Sequence, residues 1–152
     1  MSRPLRFLSP EQVVAIHDAL LGRTGGLGGG GHRGGSYEGV DAAVQAVKNS
    51  YYERVEELAA GYAVYIVQGH VFADGSKRTG AAAMLTFLEA NGRRTELAGT
   101  RLAAMMVDLQ RRAESGEDAA RLIQWIARAL VGRSGASRRR RSSRAPRGRE
   151  GQ

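Results

Sequence analysis

Between His70 and Thr79 the chain sets an imidazole (His70), a carboxylate (Asp74), a glycine (Gly75), a hydroxyl (Ser76) and two adjacent cations (Lys77 and Arg78). Groups of these types, this close together, can move a proton and hold an anion. An imidazole titrates near neutrality and can take a proton from an attacking hydroxyl. Asp74 is a hard oxygen ligand of the kind Mg²⁺ takes beside phosphate oxygens. Gly75 lets backbone come close to a ligand, so the N–H groups of Gly75 and Ser76 can form an anion hole, and Ser76 can also cap the helix behind it. Lys77 and Arg78 supply the cations that neutralise charge spreading during phosphoryl transfer. The same residues also suit a plain capped corner between two helices, and residue types alone leave both readings open.

The elements that must position this stretch are legible as helices. Ahead of it, Tyr51, Val55, Leu58, Tyr62 and Ile66 recur at three- and four-residue steps, which predicts a helix from about Tyr51 to Gly69. Behind it, Ala81, Met84, Leu85 and Leu88 repeat the pattern from a start near Lys77, and Asn91-Gly92 closes that helix with residues that tolerate a left-handed cap. A helix start at this point aims unpaired N–H groups and a positive dipole end at the loop. The small residues Gly80 to Ala83 let the second helix sit close against a neighbour, as a central buried helix does.

The rest of the chain reads the same way. Ser9-Pro10-Glu11-Gln12 is a helix start with a cap, a proline at the first position and a capping-box partner. The helix it opens runs to about Leu21, with Val13, Ile16, His17 and Leu20 on one face and Gly22 as terminator; His17 reads as a packed or solvent-facing residue. A short helix is expected from about Asp41 to Lys48, with Val40, Val44 and Val47 on one side. Arg93 to Leu97 suits a brief extended piece, Thr100 can cap a helix that stops at Ser115-Gly116, and a last helix from about Glu117 to Val131 packs Leu122, Ile123, Ile126 and Leu130. The expected fold is all-α, about six helices, with the helix that follows the loop at its centre.

From Gly22 to Gly35 glycine dominates, and the backbone entropy of such a run predicts a flexible loop, a mobile flap beside the site. It matches neither a Walker nor a dinucleotide-binding spacing, and His32 within it reads as solvated. The chain has 152 residues, 42% of them apolar, enough for one domain with a core over residues 1–131. Net charge is +8, but residues 132–152 hold eight arginines against one glutamate, a net of +7, so the domain itself is nearly neutral. That tail has no aliphatic residue beyond alanine and is expected to be disordered; it is either a solvated extension or a surface for nucleic acid or an acidic partner. There is no cysteine, which removes disulfides and thiolate metal sites. No apolar run approaches the roughly 18 residues of a membrane span and no signal-peptide core opens the chain, so a cytoplasmic protein is expected.

His70-Val71-Phe72-Ala73-Asp74-Gly75-Ser76-Lys77-Arg78-Thr79 resembles the signature of the Fic/Doc family, His-x-Phe-x-Asp/Glu-Gly/Ala-Asn-Lys/Gly-Arg, in its Doc (death-on-curing) form with Lys before Arg. Ser9-Pro10-Glu11 leading to His17-Asp18, Gly25-Gly26-Leu27, Gly69-His70 and Phe87-Leu88-Glu89-Ala90-Asn91-Gly92 extend the likeness over roughly residues 5 to 130. The resemblance implies the helical Fic fold. It also implies transfer of the terminal phosphate of ATP to a protein hydroxyl, with a threonine of elongation factor Tu as the kind of target, and growth arrest as the result. Carried over by position, His70 is the base, Phe72 anchors the loop, and Asp74 holds Mg²⁺. Gly75, Ser76, Lys77 and Arg78 bind the nucleotide phosphates, and the Gly-rich segment takes the place of the target-docking flap. An antitoxin supplied in trans is implied, because no Ser/Thr-x-x-x-Glu-Gly/Asn inhibitory segment is found.

The sequence departs from the family pattern at Ser76, where the family has asparagine; the hydrogen-bonding group is kept but shortened. The AMP-transferring branch has proline after the histidine, a second glycine at Lys77 and a second arginine at Ala81, none of which stands here. Phosphate transfer is therefore the expected activity, with AMP transfer and a non-catalytic protein that binds through its basic tail as alternatives.

Overall fold

The computed structural model describes residues 4–22, 25–72 and 75–131, with the backbone alone over 25–36. Asp74, the side chain of His32 and the Arg-rich tail, for which roles are expected above, lie outside the described residues. Six helices and no strand are present among the described residues: α1 (Pro10–Leu21), α2 (Gly25–Lys48), α3 (Val55–Gln68), α4 (Ser76–Ala90), α5 (Gly99–Glu114) and α6 (119–131).

Local chemistry sets several of the boundaries. Ser9 Oγ accepts from Gln12 N–H at 3.1 Å and Gln12 Oε1 accepts from Ser9 N–H at 2.8 Å, the reciprocal capping box expected for α1. Gly22 ends α1 in the left-handed region, at φ 74°. Elsewhere the structure corrects the expected boundaries. Helix α3 starts at Val55 and not at Tyr51, and Tyr51 is 98% exposed, because it sits in the turn before Arg54, off the helix whose stripe it was expected to extend. Helix α5 starts from Ala98, so Thr100 lies inside the first turn and caps nothing. Leu20, expected on the packed face of α1, is exposed, and Arg93 to Leu97 form no strand.

The largest difference is α2. The expected open loop over the Gly-rich segment is helical backbone from Gly25, continuous with the predicted short helix. Glycine costs about 1 kcal/mol per residue in a helix interior, so this stretch is held from its far end. There Val40, Ala43, Val44 and Val47 are buried, Tyr37 donates to Glu11 Oε2 at 2.7 Å, and each further residue adds a hydrogen bond to a helix already nucleated.

Helices α3 and α4 make the centre. Helix α4 packs on α1, α3 and α5, as expected of the helix behind the loop, while α3 is the more deeply buried of the pair. A Cβ at Gly80 would lie 3.3 Å from Ala63 O and 3.3 Å from Val67 Cγ2, so the small residue is what lets the two helices meet this closely. Tyr62 and Phe87, both buried, pack at 5.2 Å between ring centroids. The Tyr62 hydroxyl accepts the Leu8 N–H at 2.9 Å, and burial pushes its pKa up to about 12. Leu122, Ile123, Ile126 and Leu130 close the core from α6. The site loop is thus mounted between the two most constrained helices.

Candidate active site

Helix α3 ends in a Schellman motif. Val71 N–H bonds Ile66 O at 3.2 Å and His70 N–H bonds Val67 O at 3.1 Å, which puts His70 at the position after the cap, where the chain must turn left-handed. His70 has φ 47°, the one non-glycine residue with positive φ among those described. A side chain there costs on the order of 1–2 kcal/mol relative to glycine. The imidazole it carries is exposed and lines a cavity of about 330 Å³ together with Phe72, Gly75, Ser76, Lys77, Arg78 and Gln110.

Two packed rings hold the loop from below. Phe72 is buried and stacks on His17 of α1, centroids 3.9 Å apart and planes within 7°. His17 is itself buried, with Nδ1 3.5 Å from Asp18 Oδ1, and its ring lies 3.6 Å from where a Cβ at Gly75 would stand. The packed reading of His17 holds, and its surroundings add that it is a platform for the loop. Gly75 is the cap of α4 at φ 85°, a left-handed conformation that glycine adopts without a Cβ penalty.

Ser76, by type able to cap α4, does not do so. It is the first helical residue, and its hydroxyl points back into the loop, accepting from Phe72 N–H at 3.1 Å and donating to Phe72 O at 3.2 Å. The first backbone bond of α4 runs from Thr79 N–H to Gly75 O at 2.8 Å, and no described side chain caps the helix. Helix geometry therefore leaves the N–H groups of Ser76, Lys77 and Arg78 without intrahelical acceptors, at the positive end of the dipole. Arg78 is exposed. Lys77 is half-buried and its ammonium donates to Gln110 Oε1 at 2.8 Å. Neither cation is paired with a carboxylate among the described residues.

The structure thus brings His70, Phe72, Gly75, Ser76, Lys77 and Arg78 to one cavity. Gln110, on α5, was not singled out in the sequence. The signal that could have found it is weak: it follows buried Leu109 and stands one turn after buried Met106, at the margin of the packed face of α5. The lining fits a phosphate, since it offers a cationic rim and N–H groups that lack intrahelical acceptors, with no carboxylate among the described lining residues. No group of three His, Asp or Glu able to hold a metal ion occurs among the described residues. Lys77 and Arg78 also border a second, apolar groove of about 400 Å³, walled by Leu20, Ala81, Leu85, Leu102, Met106 and Val107. No described helix is long and apolar enough to cross a membrane.

Comparison with known proteins gives the family. The model of the Fic/DOC family matches residues 7–88, which is more than half of the chain. The protein kinase doc of Escherichia phage P1 is 40% identical over 90 residues, covering 58% of this chain and 70% of that protein.

Proposed function

The chain belongs to the Fic/Doc family, and from that premise we propose that it is a protein kinase of the Doc type. It transfers the terminal phosphate of ATP to a Ser or Thr hydroxyl of a protein target, a translation factor such as elongation factor Tu, and so arrests growth. The observation that carries this reading is the cavity at the start of α4, which no described side chain caps. There an exposed imidazole shares the lining with two cations that no described carboxylate neutralises.

In this reading the Ser76, Lys77 and Arg78 N–H groups and the two cations hold the phosphates and neutralise their charge as it spreads. His70 takes the proton of the acceptor hydroxyl while its oxygen bonds the terminal phosphorus and the bond to the bridging oxygen breaks, leaving ADP. Phe72 and Gly75, seated on His17, keep the imidazole and the helix start in register. Asp74 is the residue that would hold Mg²⁺, which supplies further neutralisation of phosphate charge when bound. Ser76, whose hydroxyl is engaged with Phe72, contributes its N–H and braces the loop. The apolar groove beside Lys77 and Arg78, with Val107 56% exposed on its wall, is the face we assign to an antitoxin in trans.

The test uses purified full-length protein, labelled ATP, Mg²⁺ and a bacterial lysate, with intact-mass measurement of the modified band. One added phosphate is expected. His70→Asn, a residue that tolerates left-handed backbone, should keep the fold and lose roughly 10²- to 10⁴-fold in rate, the usual worth of a general base. A whole nucleotide on the target, or no modification by folded wild-type protein, overturns the proposal.

A further inference from the structure

Lys77 Nζ donates to Gln110 Oε1 at 2.8 Å, and Gln110 Nε2 donates to Glu114 Oε2 at 2.9 Å. The order of this chain fixes which way the amide faces. An ammonium can only donate and a carboxylate can only accept, so the carbonyl of Gln110 must face Lys77 and its NH₂ must face Glu114. The result is a lysine held by a neutral acceptor, with the nearest carboxylate of that chain kept one amide away. Gln110 also lines the cavity itself, and it comes from α5, beyond the residues that match the family model.

We propose that Gln110 is the positioning residue of the anion site: its carbonyl holds the Lys77 ammonium at the cavity without neutralising it, and Glu114 orients that carbonyl. The inference rests on Lys77 being a phosphate ligand, as argued above. A flexible lysine stem has several rotamers to choose from, and ordering it before the ligand arrives removes part of the entropy that binding would otherwise cost. A carboxylate at the same place would order the lysine equally well, yet it would compete with phosphate for the charge. A glutamine orders it and leaves the charge available.

The isosteric Gln110→Glu and the truncation Gln110→Ala separate these effects, measured in the full chain with Lys77→Ala and the Lys77→Ala/Gln110→Ala double variant. The readouts are ATP affinity by calorimetry and, separately, phosphate transfer. Gln110→Glu should weaken ATP binding about tenfold, since a charge-assisted bond now engages Lys77 and a negative charge enters the cavity. Gln110→Ala should weaken it about threefold, the scale of ordering one long side chain. In the Lys77→Ala background Gln110→Ala should add nothing, because Gln110 acts through that ammonium. Independent, multiplying losses in the double variant overturn the inference. So does wild-type affinity in Gln110→Glu, or an unchanged affinity in Lys77→Ala. The binding readout does not depend on turnover. If Gln110→Glu weakens ATP and the wild type transfers no phosphate, the kinase reading fails and this one stands. If transfer proceeds and the Gln110 variants bind normally, the reverse holds.

Discussion

Helices α3, α4 and α5 stop in the same way, and one of them stops with the wrong residue. At the end of α4, Arg93 N–H bonds Leu88 O and Gly92 N–H bonds Glu89 O; at the end of α5, Glu117 N–H bonds Arg112 O and Gly116 N–H bonds Ala113 O. These are the pairs that Val71 and His70 make at the end of α3. The left-handed position is Gly92 at φ 73° and Gly116 at φ 90°, but His70 at φ 47°. Where the fold needs only to stop a helix, glycine does it at no steric cost. At the site the chain accepts a conformation unfavourable for a side chain, and what it obtains is an imidazole in the lining of a cationic cavity. Strain of this kind points to function when it sits on a residue able to do chemistry.

That contrast is broken most sharply by His70→Gly, which makes the three helix ends alike. Activity should fall to background. Stability should rise by up to about 1 kcal/mol, the relief of the left-handed side chain less the extra chain entropy that glycine brings to the unfolded state. Thermal unfolding of wild type and variant, beside the transfer assay, checks both halves. A destabilised His70→Gly protein would mean that the imidazole is there for packing and that the comparison is mistaken.

The converse substitutions come next in size. A Cβ at Gly92 or Gly116 would meet nothing within 4 Å, so only backbone conformation opposes alanine there. Gly92→Ala and Gly116→Ala should each destabilise by roughly 1 kcal/mol, lowering Tm by a few degrees, with phosphate transfer unchanged. Loss of activity at full occupancy of the folded state, in either variant, would show that these ends also set the site.

The same helix ends show how far a sequence can be read. Asn91-Gly92 and Ser115-Gly116 announce their turns because the responsible residues are neighbours, and so do Ser9 and Gln12 at the start of α1. The ten-residue stretch from His70 carries most of the cavity lining for the same reason. What the sequence conceals depends on the chain returning from elsewhere. The stacking of His17 on Phe72 joins residues 55 positions apart, and the Lys77 to Gln110 bond spans 33. Tyr51 continues a helical stripe in sequence and yet lies outside the helix, since spacing marks a face without marking where the helix begins. In the Gly-rich stretch propensity favours loop, and the helix is carried by the packing of Val40, Val44 and Val47 downstream. Ser76 looks like a cap in one dimension; its hydroxyl turns to Phe72 only because the loop folds back over it.

The smallest effect lies at the far end of α5, where the two residues joined by the outer bond of the motif carry opposite charges. Arg112 and Glu117 occupy the positions that usually make a hydrophobic contact across this motif. Here the guanidinium grips the carboxylate with two bonds of 2.8 Å and lies 4.1 Å above the Trp125 ring. This is the opposite of Lys77 and Arg78, cations that no described carboxylate neutralises. The Arg112 hydrogen bond is the main cause holding the Glu117 carboxyl below its usual 4.5. A carboxyl whose pKa is depressed by folding contributes stability above its unfolded value and loses that contribution as pH falls through the folded one. Arg112→Gln should therefore lower Tm by a constant, small amount from neutral pH down to about 4.5, after which the gap to wild type should narrow as Glu117 protonates in both proteins. The part of the gap due to stacking on Trp125 should remain in acid, since it does not involve the carboxyl. Transfer activity should be unchanged throughout the range where both proteins are folded. A gap in Tm that stays constant through pH 4.5 would assign the stabilisation to the ring contact alone.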